Sequence, residues 1–348
     1  MSSRYEQEGM HEGVPLIRTS TRTSFTECQQ RWEWNWLWGL QGADPSMPLT
    51  FGSAIHQAFE FWYVSGFDRG EHPATTFLQV WDAEMDKHDV QGVSPDDPWL
   101  QHRELGVALM EDYVKKYGEE PALEIVAIEQ PFEILLVDAE TDEPVCIYCG
   151  TFDGLAYDHN AGCYVCLEHK TTAAISKSHL ALDEQANTYW ALAEFWLQDW
   201  VDGGAELHHI LYNFLRKGKR DERPTNAMGQ ALNKDGTVSK RQPIPRFDRE
   251  RVFRGQEDRY RVLQRISKQV IAMEAFRNGE LPLYKSPGNA LNDRCSFCPF
   301  SGACELEEVG GDWEEMLELT TEEWDPFDPH LGNLEGLSLD DLTVAYTN

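Results

Sequence analysis

Glu168 and Lys170 stand two residues apart in CLEHKTT, residues 166–172. In an extended strand residues i and i+2 face the same side, so a carboxylate and an ammonium project together while His169 points away. The preceding apolar run, PVCIYCGTFDGLAY, carries Asp153, with Gly150 and Gly154 leaving room around it. DHNAG, residues 158–162, reads as a hairpin turn that brings Asp153 across from Glu168. Two carboxylates and one ammonium then converge. Oxygen ligands of this kind select Mg2+ or Mn2+. Such a cation lowers the pKa of a bound water and offsets charge on a phosphate. The set suits phosphodiester hydrolysis, with Lys170 orienting the water or stabilising charge on the phosphoryl group. Spacing alone is weak support, because two acids and a lysine on a hairpin also arise by chance.

The elements that must position these groups follow from periodicity. TSTRTSFTECQQRWEWNWLWGL, residues 19–40, reads as a helix with Ser20 or Ser24 as N-cap and a Ser24–Glu27 capping box. Its four tryptophans, at 32, 34, 36 and 38, could stack nucleic-acid bases, but core packing is the better expectation. A second amphipathic helix spans 50–65 and a third lies near 100–117. After Pro121 the period changes. LEIVAIEQPFEILLV, PVCIYCGTFDGLAY and CYVCLEHKTT read as consecutive strands, followed by a helix over 179–199 and a strand over 207–217. Residues 218–245 read as a mobile polar loop and 248–278 as a helix. No internal repeat is visible. The expected fold is α/β: a mixed central sheet flanked by helices. The divisions are an N-terminal helical region (1–120) carrying Cys28 and His56, a core (121–217), a basic loop, helix and cysteine cluster (218–304), and an acidic tail (305–348).

Asp153 followed by Glu168-x-Lys170 resembles the catalytic core of the PD-(D/E)XK nuclease superfamily, and in detail its RecB-like, CRISPR-associated and phage-encoded exonuclease branch. The resemblance runs in order from residue 19 to 305 and implies a restriction-endonuclease-like core. It also implies a histidine on an upstream helix in the metal site, matched by His56 in GSAIHQAFE, and a glutamine and tyrosine one turn apart, matched by Gln185 and Tyr189 in DEQANTYW. The implied site has His56, Asp153 and Glu168 as metal ligands, helped by the backbone carbonyl of His169. Lys170 then positions or activates the water and Gln185 supports the site. The implied activity is a DNA exonuclease preferring single strands or ends, serving recombination or replication, with a phage origin. Ring-forming relatives exist, so a monomer is not assumed. Glu129, on the first strand, is a candidate helper of the metal, with a solvent-facing acid the better expectation.

Eight cysteines fall into two sets. Cys295, Cys298 and Cys304 have C-x2-C-x5-C spacing, and with the remote Cys28 they can form a four-thiolate site. The same branch places one cysteine before its core and three after, holding a [4Fe–4S] cluster. Zinc is the chemical rival. Cys146, Cys149, Cys163 and Cys166 mimic a zinc ribbon on paper. They lie in the proposed strands, however, where i and i+3 face opposite sides, so buried thiols are expected.

The formal charge of −30 argues against nucleic acid as a partner until its distribution is considered. Residues 305–348 hold fourteen acids and no Lys or Arg, whereas bases gather over 216–265. A local basic stripe can bind a phosphate backbone despite a negative total. Arg216, Lys217, Lys219 and Arg220, in a stretch resembling phage members, are the candidate DNA contacts. The tail reads as disordered and solubilising, or as a partner-binding or autoinhibitory segment. No run reaches the ~20 apolar residues of a membrane span, and MSSRYEQEGMHEG lacks a leader's apolar centre. A soluble, cytoplasmic protein is expected. A non-catalytic iron–sulfur DNA-binding scaffold and a zinc-binding interaction module are the competing classes.

Overall fold

The computed structural model describes residues 9–43, 46–88, 94, 96–118, 120–201, 205–288 and 294–347. Residues 1–8 lie outside them.

The chain opens with β1 (Met10–His11) and β2 (Val14–Ile17), joined through Glu12 and Gly13, both at positive φ. The expected single helix over 19–40 is broken. α1 (Thr19–Glu27) starts after Arg18, so Ser24 is interior rather than a cap. The chain turns extended at Cys28, then continues through α2 (Gln29–Trp32), a π-helical turn over Glu33–Leu37 and β3 (Leu40–Gly42). Widening the helix changes which way its tryptophans point. Trp32 and Trp36 enter the main core, while Trp34 enters a small cluster with Phe300 and Leu317.

α3 (Met47–Trp62), α4 (Pro73–Lys87) and α5 (Pro98–Tyr117) form a three-helix layer. Proline stands in the first turn of each, where no helical N–H is lost. Phe51, Ile55, Phe59, Trp81 and Tyr113 of this layer bury one face of the sheet against Val165, Leu167, Leu211 and Leu215.

The sheet is built from β4 (Leu123–Asp138), β5 (Glu143–Asp158) and β6 (Cys163–Thr172), then β7 (Leu207–Arg216) after the crossover helix α6 (Glu184–Gln198). β4, β5 and β6 are antiparallel neighbours; β6 and β7 are parallel, as a helical crossover requires. Residues 248–253, expected as helix, instead belong to the strand β8 (Phe247–Phe253), antiparallel to β7. Their charges alternate with period two: Arg249 reaches Glu120 on one side, while Asp248 and Glu250 hold Lys177 on the other. α7 (Gln256–Arg277) follows and packs with α6 on the second sheet face.

The acidic tail is folded, against expectation. α8 (Ser301–Glu308), α9 (Trp313–Thr320), β9 (Thr321–Glu323), α10 (Asp328–Leu334) and β10 (Thr343–Tyr346) run to its end. β9 pairs with β3, and β10 joins the main sheet parallel to β4. Phe327, Leu334, Leu342 and Ala345 are buried, and the His330 ring is held by Glu133 at 2.6 Å. Enough apolar residues are spaced among the acids to offset ordering. Cys146, Cys149 and Cys166 are buried thiols, and burial pushes Cys146 up to about 12. Cys163 lies beside His209 at 3.9 Å.

Candidate active site

The site forms where β5 loses its neighbour. The β5–β6 hairpin pairs from Asp158/Cys163 to Gly154/Leu167 and stops there. β6 continues beside β7 to Thr172, while β5 is met again, at Ile147 and Tyr148, by β2. Residues 149–153 therefore border a fork, with β2 and β6 as its prongs. Asp153 sits at the apex. Its Oδ2 accepts the backbone N–H of His169 at 2.7 Å, taking over where the backbone ladder ends.

Three ligand-type groups meet at this apex. His56, on α3, has Nδ1 2.9 Å from Glu129 Oε1 and 3.5 Å from Asp153 Oδ1. These three side chains offer donor atoms within 4.8 Å of one another. Glu129, expected to face solvent, points inward instead. Its backbone is left-handed, with φ 42°, a conformation costly for a residue with a Cβ and typical of functional positions. Burial lowers the His56 pKa, but Asp153 and then Glu129 outweigh it and raise the imidazole to about 9.

Glu168 is buried and stands just outside this trio. Lys170 Nζ holds its Oε1 at 2.6 Å, while Oε2 has no partner. Burial and then the charge of Asp153 push the Glu168 carboxyl up, and burial likewise raises Asp153. Asp183, the N-cap of α6, lies 3.6 Å from Lys170 and was not singled out by the sequence reading. An acid opening a helix (DEQAN) was its sequence signal. Burial would strip Lys170 of its proton, but Glu168 and Asp183 outweigh burial and hold it cationic.

His169 does turn to the other face. Its ring packs on Phe59 and stacks with Tyr63, and Asn213 Nδ2 donates to its Nδ1 at 3.0 Å. Arg249 in turn donates to Asn213 Oδ1 at 3.3 Å. Burial holds the His169 ring neutral. Gln185 lines a cavity of about 400 Å3 between α1 and α6. Tyr189 is buried edge-on against Phe132 and Phe152. The space opened by Gly150 is filled by its hydroxyl, which would lie 2.7 Å from a Cβ there.

The group a site of this kind implies is a divalent cation. The donors present are three carboxylates and one imidazole, and Glu168 leaves a buried oxygen unpartnered. An oxygen-rich, anionic set of this sort fits Mg2+ or Mn2+.

The profile of the PD-(D/E)XK nuclease superfamily matches residues 19–305, and the chain belongs to that superfamily. Among similar solved structures is a crystal structure described as a "putative exonuclease" from Eubacterium rectale. It is 12% identical, with a TM-score of 0.44, and the match covers 82% of this chain and 87% of that one. No curated protein matches the chain. No helix among the described residues is long and apolar enough to cross a membrane.

The remaining expected residues lie apart from the apex. Cys298 and Cys304 pack against the Trp34 cluster, and Cys28 and Cys295 are near enough for the charges of both to act on Cys298. Arg216 donates to the Ile244 and Pro245 carbonyls, Lys217 lies over the Phe51 ring, and Arg220 pairs with Asp112. Lys219 is exposed.

Proposed function

We propose that this nuclease is a divalent-metal-dependent deoxyribonuclease of the RecB-like exonuclease type, acting on single strands or DNA ends in recombination or replication. The observation that carries the reading is the apex itself: Asp153, Glu129 and His56 within mutual reach, beside a buried Glu168–Lys170 pair. His56, Asp153, Glu129 and Glu168 would hold the cation, with the carbonyl of His169 as the expected backbone ligand. When bound, that cation would acidify a water and neutralise charge on the scissile phosphate.

The chain's own groups then divide the work. Lys170 keeps its proton, so it serves as a fixed positive charge that orients the nucleophilic water or meets charge growing on the phosphoryl oxygens. It is not the base. Asp183 and Glu168 hold it from two sides, which fixes its aim. Tyr189 and Gln185 support α6 beside the site. Arg216, Lys217, Lys219 and Arg220 would contact the phosphate backbone without reading sequence.

Cys28, Cys295, Cys298 and Cys304 would hold a [4Fe–4S] cluster. Soft thiolates suit either iron–sulfur or zinc. The resemblance, rather than the spacing, favours the cluster over zinc. The intracellular, phage-encoded setting belongs to the same reading.

The test is cleavage of end-labelled single- and double-stranded DNA with Mg2+ or Mn2+ by wild type, Glu168→Ala and Lys170→Ala. Both variants should lose cleavage by at least ~100-fold, the scale of removing one charge-stabilising donor, while still binding DNA. Normal cutting by both variants would refute the assignment.

A further inference from the structure

One large groove lies apart from the apex. It has a volume of about 1490 Å3 and runs between α5 and the 216–246 segment that links β7 to β8. Six bases line it: Arg216, Lys219, Arg220, Arg223, Arg241 and Arg246. In a chain whose acids outnumber Lys and Arg by 30, such a concentration is unusual.

The way these bases are held leaves positive charge uncompensated. Arg216 is fixed by two neutral carbonyls, so no acid cancels its charge. Arg220 and Arg246 share a single carboxylate, Asp112. Lys219 and Arg241 have no side-chain partner among the described residues. Only Arg223 is matched one to one, by Asp221. Asp96, Glu104 and Glu222 also border the groove and temper this excess. A cleft of one net sign with low-dielectric walls concentrates the opposite charge.

The groove is continuous with the catalytic strand. Arg216 pairs with Thr172 in register, two residues beyond Lys170, and the Lys217 N–H donates to the Thr172 carbonyl at 2.6 Å. At ~3.3 Å per strand residue, Arg216 lies about 7 Å along the sheet from the level of Lys170. The Arg246 side chain, on the groove wall, is only 11% exposed. A duplex is stiff over ~150 base pairs and cannot dip a phosphate to that depth. A flexible single strand can.

We propose that this groove is a track for one DNA strand, holding its phosphates as the strand runs to or from the apex. Arg241, Arg223 and Arg246 thereby join the DNA-binding surface. The proposal rests on the nuclease reading and extends it to substrate form.

The test is fluorescence-anisotropy binding of a labelled oligonucleotide in EDTA, where no cleavage interferes, over a range of salt. Lys219→Ala/Arg241→Ala, both exposed positions, should weaken single-strand binding severalfold at low salt. It should also flatten the plot of log affinity against log salt by about 1.4, or ~0.7 for each lost phosphate contact. Glu222→Lys should strengthen binding. Wild type should still cleave a dinucleotide, which is too short to reach the groove. An unchanged salt slope, or an equal loss for a blunt duplex, overturns the track while leaving dinucleotide cleavage, and so the nuclease reading, intact. No cleavage by wild type on any DNA, with the slope change present, would sink the nuclease reading and leave the groove as a strand-binding site.

Discussion

Lys170 and Glu129 show how little of a side chain's role is set by its type. Lys170 stays charged because two acids flank it, one of them Asp183 from a different element. Glu129 lies in an apolar strand and could have faced water. Its left-handed backbone sits between the residues paired with Gly154 and Phe152, opposite Asp153, and turns it to His56. No property of LEIVAIEQPFE announces that conformation, so the inward turn of this residue was not legible, whereas the spacing of Glu168 and Lys170 was. Two outcomes follow. Glu129→Gln should weaken Mn2+ binding by about 10–100-fold, the range seen when groups supporting a metal site are removed, as read by titration calorimetry. Glu129→Gly should lose cation affinity too, yet unfold at higher urea, because glycine adopts positive φ without cost. Lower stability in the glycine variant would show that the backbone there is unstrained.

At the scale of elements, the hairpin through residues 158–162 was readable because turn residues interrupt two apolar runs. The fork beyond it was not, since it depends on β2 arriving from more than a hundred residues upstream. β8 was misread because its charges, alternating strictly, also fit a solvated helix face. No helix was expected where α4 lies, although Phe77, Trp81 and Met85 follow Pro73 at four-residue steps. Its partner α5 meets it at Gly106, where a Cβ would fall 1.9 Å from the Phe77 ring. Gly106→Ala should therefore cost about 1–3 kcal/mol by overpacking, measured by urea unfolding. A neutral result would mean the two helices slide apart freely.

For the whole molecule, net charge was a poor guide to where charge acts. Most of the tail's fourteen acids sit on folded elements, and most bases of 246–265 are bound to acids within the chain. Asp112 is a junction of this kind. Burial pushes its carboxyl up, but Arg220 and Arg246 outweigh that and hold it below the usual range. A carboxyl depressed in the folded state adds stability that is full above its unfolded pKa, about 3.9, and is lost as pH falls through the folded value. Urea midpoints should thus drop on acidification below about pH 4, and Asp112→Asn should show a shallower drop. Identical acid profiles for the two proteins would remove Asp112 from the linkage.

The strand at 343–346 completes the sheet beside residues 134–137, which are made some two hundred positions earlier. During synthesis at ~5–20 residues per second, that edge of β4 stays bare for roughly 10–40 s. Exposed strand edges recruit other chains. Nascent copies on one polysome are therefore at risk of sticking to one another, and a chaperone that shields Ile134–Val137 until release should raise the yield of soluble protein.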